Sequence, residues 1–343
     1  MDGTMRKYSW SAGLLVCLIG FLSACVPAEL GDEEEVEVDV VVPEEVEVEP
    51  DKPIYVPEMA DSFEEQWPTS FSRNDVINSA QSKSFPFFEA ALQKDCGFNA
   101  NFFWQENHEL RDEIEHIASS LVTVFCDELS KDIPVIVGDY DFLKTTLQEQ
   151  SLETDDFGGI CGSEKVSSSV WGCALFGTGW FRGSVEDDGL RRLVAHELFH
   201  LVQDAMSPEP DGTRIPPDHP QKVPNWLTEG SAMFFEATFN DFISEDKTWE
   251  YWKYQTSVYE IEPGSKMSID MKGLEDSYST KTYNIGQFAS EYLVANSDFE
   301  TLMNTWRLRD QGYSFDEAFV ESFGISRGEF YDVMAQVEVL ANE

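Results

Sequence analysis

The chain has 343 residues, enough for one large domain or two lobes sharing a cleft. Hydrophobic residues make up 42% and aromatics 13%, as in packed globular proteins. Against 65 acidic residues stand 23 basic ones, for a formal net charge of -42; such a surface repels nucleic acid and excludes it as a partner.

Residues 1–24 read as an export signal. Met5, Arg6 and Lys7 supply positive charge, and Leu14 to Leu22 form an apolar stretch too short to span a bilayer as a permanent helix. The stretch ends in Leu22-Ser23-Ala24-Cys25, which resembles the bacterial lipobox. That resemblance implies cleavage before Cys25, lipidation of its thiol and attachment to a membrane through the N-terminal lipid. Val26 follows, where an aspartate would suggest inner-membrane retention. The expected location is therefore the cell envelope, lipid-anchored at the outer membrane, periplasmic or surface-exposed. Residues 25–58 alternate Glu or Asp with Val and carry several prolines, and their charge density predicts a disordered acidic tether.

Residues 59–343 read as the folded domain, with an N-terminal α/β part over 59–206 and a helical part over 207–343. With Cys17 in the signal and Cys25 lipidated, Cys96, Cys126, Cys161 and Cys173 remain. An exported chain favours disulfides, and short loops close most readily, so the expected pairs are Cys96 with Cys126 and Cys161 with Cys173. Asn74 to Leu92 reads as helical on either side of Pro86. His108 to Asp127 carries a helical stripe of Leu110, Ile114, Ile117, Leu121 and Val124, and its histidines, His108 and His116, read as surface or packing residues. Ile133 to Val137 reads as a buried strand, after which Asp139-Tyr140-Asp141 turns the chain. The acidic loop Glu153 to Asp156 lacks an ordered calcium-ligand pattern and reads as solvated. Val170 to Arg182 reads as one or two strands, with an edge able to pair an extended peptide.

Leu190 to Gln203 contains His196-Glu197-Leu198-Phe199-His200, an HExxH pattern. Leu190, Leu193, Val194, Leu198, Leu201 and Val202 recur at helical steps, and Asp187 and Asp188 offer an N-cap. On a helix, His196 and His200 share a face one turn apart, where both imidazoles can reach one Zn2+ ion. Glu197 stands beside them as a candidate general base. Ser207 to Pro224 is proline-rich and reads as an ordered loop beside the site; its His219 is a rival third ligand.

The next segment is Asn225-Trp226-Leu227-Thr228-Glu229-Gly230-Ser231-Ala232, whose apolar pattern predicts a helix through Glu229. HELFH followed by NWLTEGSA resembles the gluzincin metallopeptidases. The resemblance implies that Glu229 is the third zinc ligand and that the fold is α+β: a zincin-like lobe with a mixed sheet and the HExxH helix, then a mainly helical C-terminal lobe. The HExxHxxGxxH pattern is missing, since Gln203 and Met206 occupy its Gly and third His positions, so a metzincin is excluded. The 28 residues between His200 and Glu229 exceed the spacing of the aminopeptidases of this clan, and the proline-rich loop accounts for the excess. Glu236 reads either as a group orienting a histidine or as a solvent-facing acid. Lys247 to Glu260 is rich in Trp and Tyr and reads mainly as helix packing. Thr282 to Leu293 resembles the YxxG helix of the same enzymes, which implies that the Tyr283 hydroxyl steadies an oxyanion. The remainder reads as helices over 298–311, 314–323 and 326–341, with a capping box at Ser314 and Glu317.

The resulting expectation is a membrane-anchored zinc metallopeptidase acting on a peptide or protein, with Glu197 as base. The GxMEN segment by which the aminopeptidases of the resembling family bind a free amino terminus is not found here, so the resemblance implies an endopeptidase. Two alternatives stay open: a hydrolase of this clan acting on a non-peptide bond, and a surface lipoprotein that keeps the fold without catalysis.

Overall fold

The computed structural model describes residues 66–106, 110–129, 132–149, 167–170, 173–177, 187–206, 222–244 and 270–340. The signal segment with Cys25, the tether, His108, the 153–156 loop, Cys161, His219 and the 247–260 aromatics lie outside the described residues. Among the described residues no helix is long and apolar enough to cross a membrane.

The fold is α+β with a helical C-terminal part. Its main sheet has four strands: β2 (Ala100–Trp104), β3 (Ile133–Gly138), β4 (Ser167–Val170) and β5 (Cys173–Gly177), in the order β2-β3-β5-β4. The first three in that order run parallel and β4 is antiparallel to β5, so the sheet is mixed. β3 is central and nearly all buried, which explains its unbroken apolar run rather than an alternating one. Helix α2 (Arg111–Val124) crosses from β2 to β3, burying Ile114, Ile117, Ala118, Leu121 and Val122 along one stripe. A disulfide joins Cys96 to Cys126, tying the approach to β2 to the end of α2. A second, two-stranded sheet pairs β1 (Ser70–Ser72) in parallel with β6 (Glu338–Leu340), bringing the two ends of the described chain together.

Three helices build the centre of the molecule. α4 (Asp187–Ala205) carries the HExxH residues, α5 (Asn225–Ile243) carries Glu229, and α6 (Thr280–Asn296) carries Tyr283. α5 is buried around most of its circumference, as expected of a helix with partners on several sides. Against α4 it stacks Phe235 on Phe199, with ring centroids 4.5 Å apart. Against α6 it presents Gly230. A Cβ at Gly230 would sit 2.1 Å from the backbone carbon of Gly286, and a Cβ at Gly286 would sit 2.2 Å from the carbonyl oxygen of Trp226. Only glycine allows two backbones this close. Further phenylalanines, including Phe88 of α1 (Arg73–Ala91), Phe125, Phe239 and Phe299 of α7 (Phe299–Asp310), fill the space around Phe235.

Four local expectations need correction. Pro86 does not interrupt α1, which runs through it for 19 residues. A proline inside a helix costs about 3 kcal/mol or more. Its neighbours offset this: Phe85 packs on Phe242, Phe87 on Phe299, and Phe88 on Phe235, Phe239, Phe242 and Phe299. Asp139 does not simply turn the chain. Its carboxylate accepts from the Phe142 backbone N–H at 2.9 Å and so starts a helix, α3 (Tyr140–Glu149). α4 begins at Asp187, so Asp187 and Asp188 lie inside its first turn rather than before it. The last helix covers only Arg327–Met334 (α9), after which Glu338–Leu340 becomes strand β6, because β1 offers it a partner. The capping box at Ser314 and Glu317 does open α8 (Phe315–Phe323).

Gly286→Ala is expected to destabilise the protein by at least about 1–3 kcal/mol, since backbone rather than a movable side chain must give way. Urea unfolding of the two proteins measures this, and an unchanged midpoint would remove the glycine contact from the account.

Candidate metal centre

His196 and His200 lie four residues apart on α4, and both aim Nε2 at the same point. Glu229 reaches that point from α5. Its Oε2 lies 3.5 Å from His196 Nε2 and 3.4 Å from His200 Nε2, and the two Nε2 atoms are 3.1 Å apart. Among the described residues these three form a cluster able to hold a metal ion.

The spacing can be tested against coordination geometry. Donors about 2.1 Å from a tetrahedral ion lie about 3.4 Å from one another, and about 3.0 Å apart around an octahedral ion with the same bond lengths. The observed edges of 3.1, 3.4 and 3.5 Å lie closer on average to a tetrahedral face. Two imidazoles with one carboxylate suit zinc or a similar transition metal, and disfavour calcium and magnesium, which take oxygen ligands. The residues therefore fit zinc or a similar transition-metal ion.

Charge points the same way. Burial would lower the basicity of His196, but Glu229, Glu236 and Glu197 outweigh it and push its pKa up to about 10. Burial likewise opposes the charged form of His200, and Glu229 reverses the effect, raising it. Glu229 is itself buried, yet the two imidazoles hold its carboxyl well below the usual carboxylate range. The cluster thus attracts positive charge, which either protons or a metal ion can supply.

The groups behind the ligands are well defined. His196 Nδ1 lies 3.1 Å from Glu236 Oε2, close enough for an ion pair though not aligned as a formed hydrogen bond. Glu236 accepts from Arg192 Nε at 2.7 Å. Burial would raise the Glu236 carboxyl, and Arg192 together with His196 lowers it. Of the two readings of Glu236, the geometry selects the one in which it faces a histidine. His200 Nδ1 lies 2.7 Å from Gln203 Oε1. Sequence reasoning missed Arg192 and Gln203. Arg192 precedes His196 by one helical turn and Gln203 follows His200 by three residues, so helical spacing was the available signal.

Tyr283 lies over the same cluster, its ring centroid 6.4 Å from that of His196. Burial, reinforced by the carboxylates of Glu229 and Glu197, pushes its phenol above the ordinary value and keeps it protonated. Glu197 is buried beside His196 and acts electrostatically on both histidines and on Tyr283. His116, by contrast, is exposed on α2 and is not one of the three residues of this cluster.

The raised pKa of His196 gives a signed expectation for the metal-free protein. Its contribution to stability is complete below about pH 6.5, the ordinary histidine value, and is lost as pH rises through about 10. Urea midpoints in the presence of a chelator should therefore fall between pH 6.5 and 10. Saturating zinc should flatten that fall, because the ion replaces the proton. A metal-free protein whose midpoint rises over this interval would contradict the arrangement.

Comparisons with protein-family models, with curated proteins and with solved structures found no match to this chain.

Proposed function

We propose that this protein is a zinc-dependent peptide hydrolase with a zincin-like arrangement of its catalytic helices. The convergence of His196, His200 and Glu229 from two separate helices carries the reading. Bound zinc would lower the pKa of water toward about 7 and polarise a carbonyl group.

The chain's own groups divide the remaining work. Glu197 takes the proton from the water that attacks the scissile carbonyl and passes it to the leaving amine. Tyr283 donates its phenolic hydrogen bond to the carbonyl oxygen as negative charge develops there. Among the described residues β4 is one of the two edge strands of the main sheet, and it packs beside α4. Such an edge can hold an extended peptide by backbone pairing, which supports a peptide substrate and internal cleavage.

The lipobox-like segment at Cys25 further suggests anchorage of the enzyme to the envelope, with the acidic tether holding it away from the membrane. The Cys96–Cys126 disulfide is in keeping with an oxidising, extracytoplasmic compartment.

Three measurements test the reading. The purified chain should contain about one zinc per molecule by elemental mass spectrometry, and His200→Ala or Glu229→Ala should lose it. Glu197→Gln should keep the zinc while cleavage of a peptide library at neutral pH falls by roughly 10²–10⁴-fold. Tyr283→Phe should lower kcat by about 10²–10³-fold with the metal retained. Full cleavage by Glu197→Gln would remove the base from the mechanism. A zinc-loaded parent that cuts no peptide would point instead to another bond or to binding alone.

A further inference from the structure

We propose that Gln203 is a positioning residue of the metal centre: its amide fixes the tautomer of His200 and ties that imidazole to the turn of α5 that carries Glu229. The proposal rests on the zinc reading above.

Gln203 is only 2% exposed. Its Nε2 donates to the Thr228 carbonyl oxygen at 3.0 Å and to Ser231 Oγ at 2.8 Å. A carbonyl oxygen can only accept, so the orientation of the amide is determined. Ser231 directs its own hydroxyl to the same carbonyl at 3.4 Å, which leaves a lone pair for Gln203. Flipping the amide would set two carbonyl oxygens against each other inside the core. Oε1 must therefore face the other way, and there it meets His200 Nδ1 at 2.7 Å.

An acceptor facing Nδ1 places the proton on Nδ1. The lone pair is then on Nε2, the atom that faces His196 and Glu229. The opposite tautomer would aim an N–H at the metal position and remove a ligand. Thr228 and Ser231 stand on either side of Glu229 in α5, so one amide holds both the second imidazole and the turn bearing the third donor. His196 is held by different means, an anionic partner neutralised by an arginine. A residue serving only to join α4 to α5 would have no need to put its oxygen on an imidazole.

The test uses the full chain, with Zn2+ affinity measured by chelator competition and histidine tautomers read from imidazole nitrogen shifts. In the zinc-loaded parent, His200 should carry its proton on Nδ1. Gln203→Leu removes the acceptor and both donors and should weaken zinc binding by about 10–100-fold. Gln203→Glu keeps an oxygen on Nδ1, and its second oxygen, buried against the Thr228 carbonyl, keeps a proton and donates there, so this variant should recover most of that affinity. A Gln203→Leu protein as tight as the parent, a Gln203→Glu protein no tighter than Gln203→Leu, or a parent with zinc on His200 Nδ1 would each overturn the proposal. Should Gln203→Leu fail to fold, the parent's tautomer and the affinity of Gln203→Glu decide the matter, and a Gln203→Glu protein more than about tenfold weaker than the parent counts against it. A parent that binds no zinc brings down the metal reading together with this one, whereas a zinc-binding parent with unaffected variants removes Gln203 alone.

Discussion

The backbone contact between Gly230 and Gly286 sets how closely α5 and α6 approach, and the candidate site is built across that approach. Glu229 immediately precedes Gly230, and Tyr283 lies one helical turn before Gly286. A side chain at either glycine would push the helices apart and carry the phenol away from the carboxylate. The stacked pair Phe199 and Phe235 does the corresponding work on the other side of α5. Phe199 immediately precedes His200, and Phe235 immediately precedes Glu236. The register that stacks these rings is thus the one that brings both histidines within reach of their carboxylates.

Such a site has to be held by its surroundings, because left to itself it is electrostatically costly. Two imidazole nitrogens and a carboxylate oxygen converge in a largely buried space, with further carboxylates close by. Burial penalises every charge in the cluster, and only opposite charges at short range outweigh it. Arg192 neutralises Glu236 behind His196, while the neutral amide of Gln203 stands behind His200. The interior of the protein therefore surrounds the two imidazoles with more carboxylates than cations, a setting that favours a bound cation.

Much of the site was legible in the sequence because helices convert short spacings into geometry. The His196–His200 step fixes a shared face whatever the rest of the chain does. The strand at 133–137, the stripe of α2 and the capping box of α8 were legible for similar local reasons. Where local rules failed, a distant partner decided. Pro86 stays helical because its neighbours Phe85, Phe87 and Phe88 pack on phenylalanines of α5 and α7, and the end of the chain becomes a strand because β1 lies beside it. The pairing of Cys96 with Cys126 was legible from loop length and is the bond observed.

By itself, then, the sequence determined the chemistry on offer: two imidazoles and a carboxylate at helical spacing, a candidate third ligand, a phenol, and cysteines suited to an oxidising compartment. Tertiary structure alone decided that Glu229 meets the histidine pair, that Glu236 faces His196, and that the Gln203 amide reaches Thr228 and Ser231 on either side of Glu229. Each of these contacts joins α4 to α5 across the loop between them, and helical periodicity carries no information about where a second helix will lie. The physical reason is that periodicity specifies which face of a helix is apolar, whereas the partner, its distance and its register are set by how glycines and phenylalanines interlock in the assembled core.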